Sequence, residues 1–150
     1  TKTDPTNPLY SLDKQQSSLV YYDKNTIVLT MPYWVKVTNS SVEDSEVKKH
    51  SFVLSYDPEA MTASDTKLKL YISHVVEDAG ETVTRSNFTY AYRAYSIRAA
   101  LAAFKEKTGK LPKYLELTAE INNSKDELVD KDGKETSVER SVEYDYAFTE

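Results

Sequence analysis

From Ile27 to Val37 the chain alternates without a break. Ile27, Leu29, Met31, Tyr33, Val35 and Val37 stand on one side; Val28, Thr30, Pro32, Trp34 and Lys36 stand on the other. A period of two with one apolar side is the pattern of a half-buried strand. Pro32 has no N–H to give to a ladder, which predicts a sheet edge or a bulge at that point. The same rhythm recurs in Leu19–Tyr22, in Ser51–Tyr56, and in the row Leu68, Leu70, Ile72, His74 and Val76. It returns in Thr82–Tyr92, where Phe88, Tyr90 and Tyr92 share one face and Arg85, Asn87, Thr89 and Arg93 the other. It appears again in Leu115–Ile121, and last in Val138, Val142, Tyr144, Tyr146 and Phe148.

Only one segment has helical period. Ser96 is suited to the N-cap, Ile97, Ala100, Leu101 and Phe104 form a stripe, and Lys105 and Lys107 favour the last turn. Gly109 fits the C′ position, and Pro112 follows. The outline is five strands, one helix and two strands. It predicts an α+β fold, a mostly antiparallel sheet of about six or seven strands with one main helix packed on one face. The helix stripe should meet Leu70, Ile72, Leu117 and Val142. The polar stretches Asn39–Lys49 and Asn122–Thr136 read as surface loops. Residues 1–10, with Pro5 and Pro8, read as a flexible N-terminal tether. Residues 11–150 read as a single α+β domain, and 150 residues suit one domain. A first residue Thr1 rather than Met fits a processed chain whose upstream targeting segment has been removed.

Composition excludes several activities. There is no Cys, so disulfides, thiolate metal sites and thiol nucleophiles are absent. Nineteen basic against 24 acidic residues give a net charge of −5, the wrong sign for a nucleic-acid binder. The longest apolar run, Ala99–Phe104, is far short of the ~20 residues of a membrane-spanning helix. Three isolated glycines, Gly80, Gly109 and Gly133, cannot build a phosphate-cradling loop. No cofactor is expected. Asp130-Lys131-Asp132-Gly133 resembles part of an EF-hand loop, but Leu128 would occupy the first ligand position and cannot bind a cation. A solvated tight turn is the simpler reading.

Two kinds of site remain. His50 ends a charged loop and His74 lies on the apolar face of a strand. Either could act as a general base if a carboxylate oriented it. A lone strand histidine is more often a satisfied structural side chain. The second candidate is aromatic. Twelve Tyr is a high count, and Tyr and Trp present rigid amphipathic surface to sugars and proteins. Most of these Tyr alternate with apolar groups, as in a core finished with Tyr at its wet margins. Trp34 shares a face with Thr30, Pro32 and Lys36; it reads first as packed beneath a second layer and second as the candidate ligand-binding residue.

The stretch Val20-Tyr21-Tyr22-Asp23, Thr26-Ile27 and Trp34-Val35-Lys36, followed later by Phe88-Thr89-Tyr90-Ala91-Tyr92 and the helix after Ser96, resembles the surface-adhesin E-like domains and related small bacterial exported lipoproteins. The resemblance covers about a third of the chain in this order of elements. It implies export, location in the cell envelope or outside the cell, an upstream lipidated residue and no enzymatic activity. The reading carried forward is a non-catalytic envelope domain that binds a protein or a glycan. The alternative is a small hydrolase-type enzyme using His74 or His50 with neighbouring carboxylates.

Overall fold

A computed structural model describes residues 5–78, 84–85, 87–122, 128–129, 138–146 and 148. The strands, in chain order, are β1 (Ser18–Asp23), β2 (Thr26–Val35), β3 (His50–Ser55), β4 (Lys67–Val76), β5 (Thr84–Arg85), β6 (Asn87–Ser96), β7 (Tyr114–Ile121), β8 (Leu128–Val129) and β9 (Val138–Asp145). A short helix, α1 (Asp44–Val47), precedes β3, and the main helix, α2 (Arg98–Thr108), joins β6 to β7. A 3-10 turn spans Pro58–Ala60.

The predicted single sheet is corrected. The long strands form a three-stranded sheet in the order β1-β2-β6 and a four-stranded sheet in the order β3-β4-β7-β9; β5 and β8 form a separate pair. The larger sheet is mixed, because β4 and β7 run parallel from Lys67 opposite Tyr114 to Tyr71 opposite Thr118. A parallel pair cannot be closed by a tight turn, and here the long crossover includes β6 and α2. The α+β class, the main helix and the seven long strands stand as predicted.

Both sheets and α2 contribute to one core. Ile27, Leu29, Met31, Tyr33 and Val35 of β2 are all buried, as their alternation requires. They meet Leu68, Leu70 and Ile72 of β4, Leu115 and Leu117 of β7, and Val142 of β9. Ala100, Leu101 and Phe104 form the buried side of α2, which lies against β4 and the 3-10 turn. The helix begins one residue later than predicted: Ile97 is the N-cap, and the Arg98 N–H reaches the Ser96 hydroxyl at only 3.4 Å. Gly109 ends it at φ 82°, donating its N–H to the Lys105 carbonyl at 2.7 Å, as expected of a left-handed C′ residue.

Residues 5–10 are not a loose tether. Leu9 is fully buried and bridges both Tyr33 of β2 and Ile121 of β7, lacing the two sheets together. Its N–H donates to the Glu120 carbonyl at 2.9 Å, and its carbonyl accepts from Asn122 at 2.8 Å. The Tyr10 N–H donates to the Pro32 carbonyl at 3.0 Å. That contact explains Pro32 in a central strand. The ladder of β1 stops at Thr30, so the missing N–H of Pro32 falls on the side filled by the arm.

The loop predicted over Asn39–Lys49 is more ordered than its composition implies. Thr38 and Ser41 exchange backbone hydrogen bonds at 2.8 and 3.1 Å across a two-residue turn. Both central residues, Asn39 and Ser40, have positive φ, 53° and 66°, as a type I′ hairpin demands. The EF-hand-like sequence Asp130–Gly133 and the turn at Gly80 lie outside the described residues.

Candidate binding surface and a buried charge cluster

The register of the three-stranded sheet decides which side chains share its outer face. Val20 pairs with Val28, Ser18 with Thr30, and these with Ala94 and Tyr92 of β6. Pro32 lies opposite Tyr90, and Trp34 opposite Phe88. The core side of β6 therefore carries Thr89, Ala91, Arg93 and Tyr95, and the row Phe88, Tyr90, Tyr92 points outward. Burial agrees: Tyr92 is 66% exposed, Phe88 and Tyr90 are exposed, and Ala91 is buried. Val20 and Tyr22 of β1 continue the surface, Tyr22 at 80% exposure. The β2 and β6 positions on this face carry no charge; on β1 the charged Asp23 pairs with Thr26 at one end. Contiguous exposed apolar and aromatic surface marks a place of interaction.

One end of this face is closed by an aromatic cluster. Tyr10 from the N-terminal arm stacks on Phe88, ring centroids 4.1 Å apart at 10°, and meets Trp34 edge-on at 5.0 Å. Trp34 itself is only 2% exposed, and its Nε1–H donates to the Asn122 carbonyl at 2.7 Å. Of the two readings of Trp34, burial beneath a second layer is the one its exposure fits. The layer above it is the arm, which the sequence had marked as a tether. The exposed aromatics lie two and four residues along β6 from its partner Phe88.

The two histidines do come together. His50 Nδ1 and His74 Nε2 are 2.8 Å apart on the paired strands β3 and β4. His50 Nε2 faces a Glu46 carboxylate oxygen at 3.0 Å, and His74 Nδ1 faces the Pro8 carbonyl at 3.1 Å. Tyr33 packs edge-on to both rings, and Phe52 lies parallel to His74 at 4.9 Å. Behind them sits Arg85, only 1% exposed. Its guanidinium forks onto two carboxylates: Nε and Nη2 to Glu46 at 2.7 and 3.1 Å, Nη1 and Nη2 to Asp78 at 2.9 and 2.8 Å. Such planar bidentate pairing is particular to arginine. Glu46 Oε2 also accepts the Lys36 N–H at 2.8 Å, which ties α1 to the end of β2.

Burial alone would raise the Glu46 carboxyl, but hydrogen bonds from Arg85 and His50 outweigh it and hold the group at about 2. Burial likewise opposes ionisation of Asp78, and the Arg85 fork overrides it, lowering its pKa. Burial pushes His50 below its ordinary value against the pull of Glu46. Complete burial and the charge of His50 push His74 down to about 3. Sequence reasoning placed Glu46 in a surface loop and Arg85 with the polar residues of a strand. No local signal pairs them, because they are joined across 39 positions.

No family model matches the chain, and no curated protein does. The fold does have a relative among solved structures. The crystal structure of a "Putative lipoprotein" from Bacteroides fragilis superposes with a TM-score of 0.76 at 27% sequence identity. The match covers 99% of this chain and 66% of that one, so this chain spans a little under two thirds of its relative's length. The lipoprotein side of the sequence resemblance thus has a structural counterpart, and the surface-adhesin E-like name has no matching family. No described helix is long and apolar enough to cross a membrane.

Proposed function

We propose that this chain is an exported, envelope-associated, lipoprotein-like domain that binds a glycan through the outer face of its three-stranded sheet and carries out no chemistry. The likeness to the Bacteroides fragilis protein supports the envelope reading. One observation carries the binding reading: Phe88, Tyr90 and Tyr92 stand exposed in one row on a sheet face whose β2 and β6 positions carry no charge, and Tyr22 is exposed on β1. A neutral pyranose has one apolar C–H face rimmed by hydroxyls. Tyr offers the complement, an apolar ring ending in a hydroxyl that both donates and accepts.

The hydrolase alternative has less support. His50 and His74 are sealed from solvent, and all four of their ring nitrogens are engaged. A general base needs a nitrogen within reach of the substrate proton.

The test is an array of neutral oligosaccharides probed with the wild-type chain and with Tyr92→Ala and Tyr90→Ala. Saturable binding that weakens about tenfold in either variant is expected, since an anchoring aromatic is worth more than ~1 kcal/mol. Binding indifferent to both substitutions, or absent, overturns the glycan reading. Metabolic labelling of the source cells with a radiolabelled fatty acid tests the envelope reading separately, and an unlipidated cytosolic product would defeat it.

A further inference from the structure

A second surface differs in chemistry from the aromatic face. Along the seam between α2 and the end of β9 run two adjoining hollows of about 560 and 500 Å3. They meet at a ridge of Leu111, Tyr146 and Phe148, which lines both. Lys24, Arg98 and Lys105 edge the first; Lys110 and Lys113 edge the second. Arg98 and Lys105 stand seven residues apart on α2, two turns along one side of the helix.

The charge of this groove runs against that of the chain. Among the described residues its lining holds five basic side chains and a single carboxylate, Asp145. The chain as a whole is acidic, with 19 basic against 24 acidic residues. Among the described residues, Lys24, Arg98, Lys110 and Lys113 make no ion pair. Clustered like charges repel, and in a concave surface they focus a field that concentrates ligands of the opposite sign.

We infer that this groove binds an acidic polysaccharide, one bearing carboxylate or sulfate groups. The layout selects for an extended polyanion, because the cations flank both hollows and a single phosphate would meet one of them only. The ridge between them selects for sugar. Phe148 and Leu111 offer apolar surface at half burial, suited to the C–H face of a ring whose anionic groups reach the lysines on either side. An acidic peptide matches the charges and leaves the ridge without a partner. This site is separate from the aromatic face, and the inference stands or falls without it.

The experiment is calorimetric titration of the full chain with an oligogalacturonate, in parallel with a neutral oligosaccharide of equal length, poly-glutamate and phosphatidylglycerol vesicles. Saturable binding of the oligogalacturonate is expected, weakening about tenfold between 50 and 200 mM salt if some two lysine contacts are made, with no binding of poly-glutamate or vesicles and with any binding of the neutral oligosaccharide independent of salt. The double substitution Arg98→Glu, Lys105→Glu should abolish binding of the oligogalacturonate. A thermal melt of the double variant confirms that the fold persists, and Lys110→Glu, Lys113→Glu supplies a second pair on the connecting loop. No binding of the oligogalacturonate overturns the inference. So does equal binding of poly-glutamate or vesicles, and so does binding that survives both charge reversals.

Discussion

His50 Nδ1 lies 2.8 Å from His74 Nε2, and the two ring planes are within 14° of each other. The outer nitrogens of this pair face a carboxylate and a carbonyl, both of which only accept. Three hydrogen bonds then need three N–H protons on two rings, one more than two neutral imidazoles hold. The singly protonated pair can make all three, and the neutral pair leaves one of them without its proton. The added proton belongs on His50, next to Glu46, while His74 stays neutral.

Nitrogen NMR of the two rings checks that assignment. On acidification His50 should acquire its second proton first, below its ordinary 6.5, and His74 should remain neutral until about pH 3. A His74 that titrates before His50 would refute the order.

Stability should fall in acid. The folded-state values of both histidines lie below the ordinary 6.5, so the unfolded chain binds more protons below that pH. Their contribution is complete above 6.5 and is lost as the pH drops towards about 3. Glu46 adds to the loss with the same sign between its ordinary 4.5 and about 2. His74 alone should cost roughly 2 kcal/mol between pH 6.5 and 4.5. Urea melts at the two pH values measure this, and equal or greater stability at the lower one would contradict it.

Arg85→Met should destabilise the fold by about 3–5 kcal/mol, since it strands two buried carboxylates. Arg85→Lys retains the charge without the fork and should still cost about 2 kcal/mol. Chemical denaturation of both variants gives the comparison. A loss under ~1 kcal/mol in Arg85→Met would mean that Glu46 and Asp78 find other partners.

Trp34 and Tyr92 should behave oppositely. Trp34→Phe removes the donor to the Asn122 carbonyl and leaves a gap under Tyr10, for a loss of about 1–3 kcal/mol. Tyr92→Ala should stay within about 0.5 kcal/mol of wild type, because its ring meets solvent. Thermal melts distinguish them; a collapse of Tyr92→Ala would show that the ring is part of the core.

Ser40→Gly should stabilise the chain by about 1 kcal/mol. Ser40 occupies the left-handed region at φ 66°, where a side chain costs roughly 1–2 kcal/mol and glycine none. A lower melting temperature in the variant would show that the Ser40 side chain contributes something its exposed position does not reveal.

What could be read in advance follows from where the information lies. The rows Ile27–Val35 and Leu68–Val76 are local, so a period of two exposes them, and the stripe of α2 is equally self-contained. The face of β6 misleads for a physical reason. Phe88, Tyr90 and Tyr92 have the composition of a core row, but α2 packs on the other sheet and leaves them uncovered. The arm misleads in the opposite direction, because its single large aliphatic side chain among polar residues and prolines, Leu9, sits at a seam that exists only after two sheets have formed. The Glu46–Arg85 pair is invisible for the same cause. Charged residues read as solvated until a distant partner makes burial tolerable.

Leu9 also fixes how a mechanical load enters the molecule. The arm is hydrogen-bonded to His74 of β4, to Glu120 at the end of β7, and to Pro32 of β2. Tension applied at residue 5 is therefore shared among strands of both sheets before any one ladder begins to peel. The segment that composition marks as slack is the point at which the fold would bear a pull.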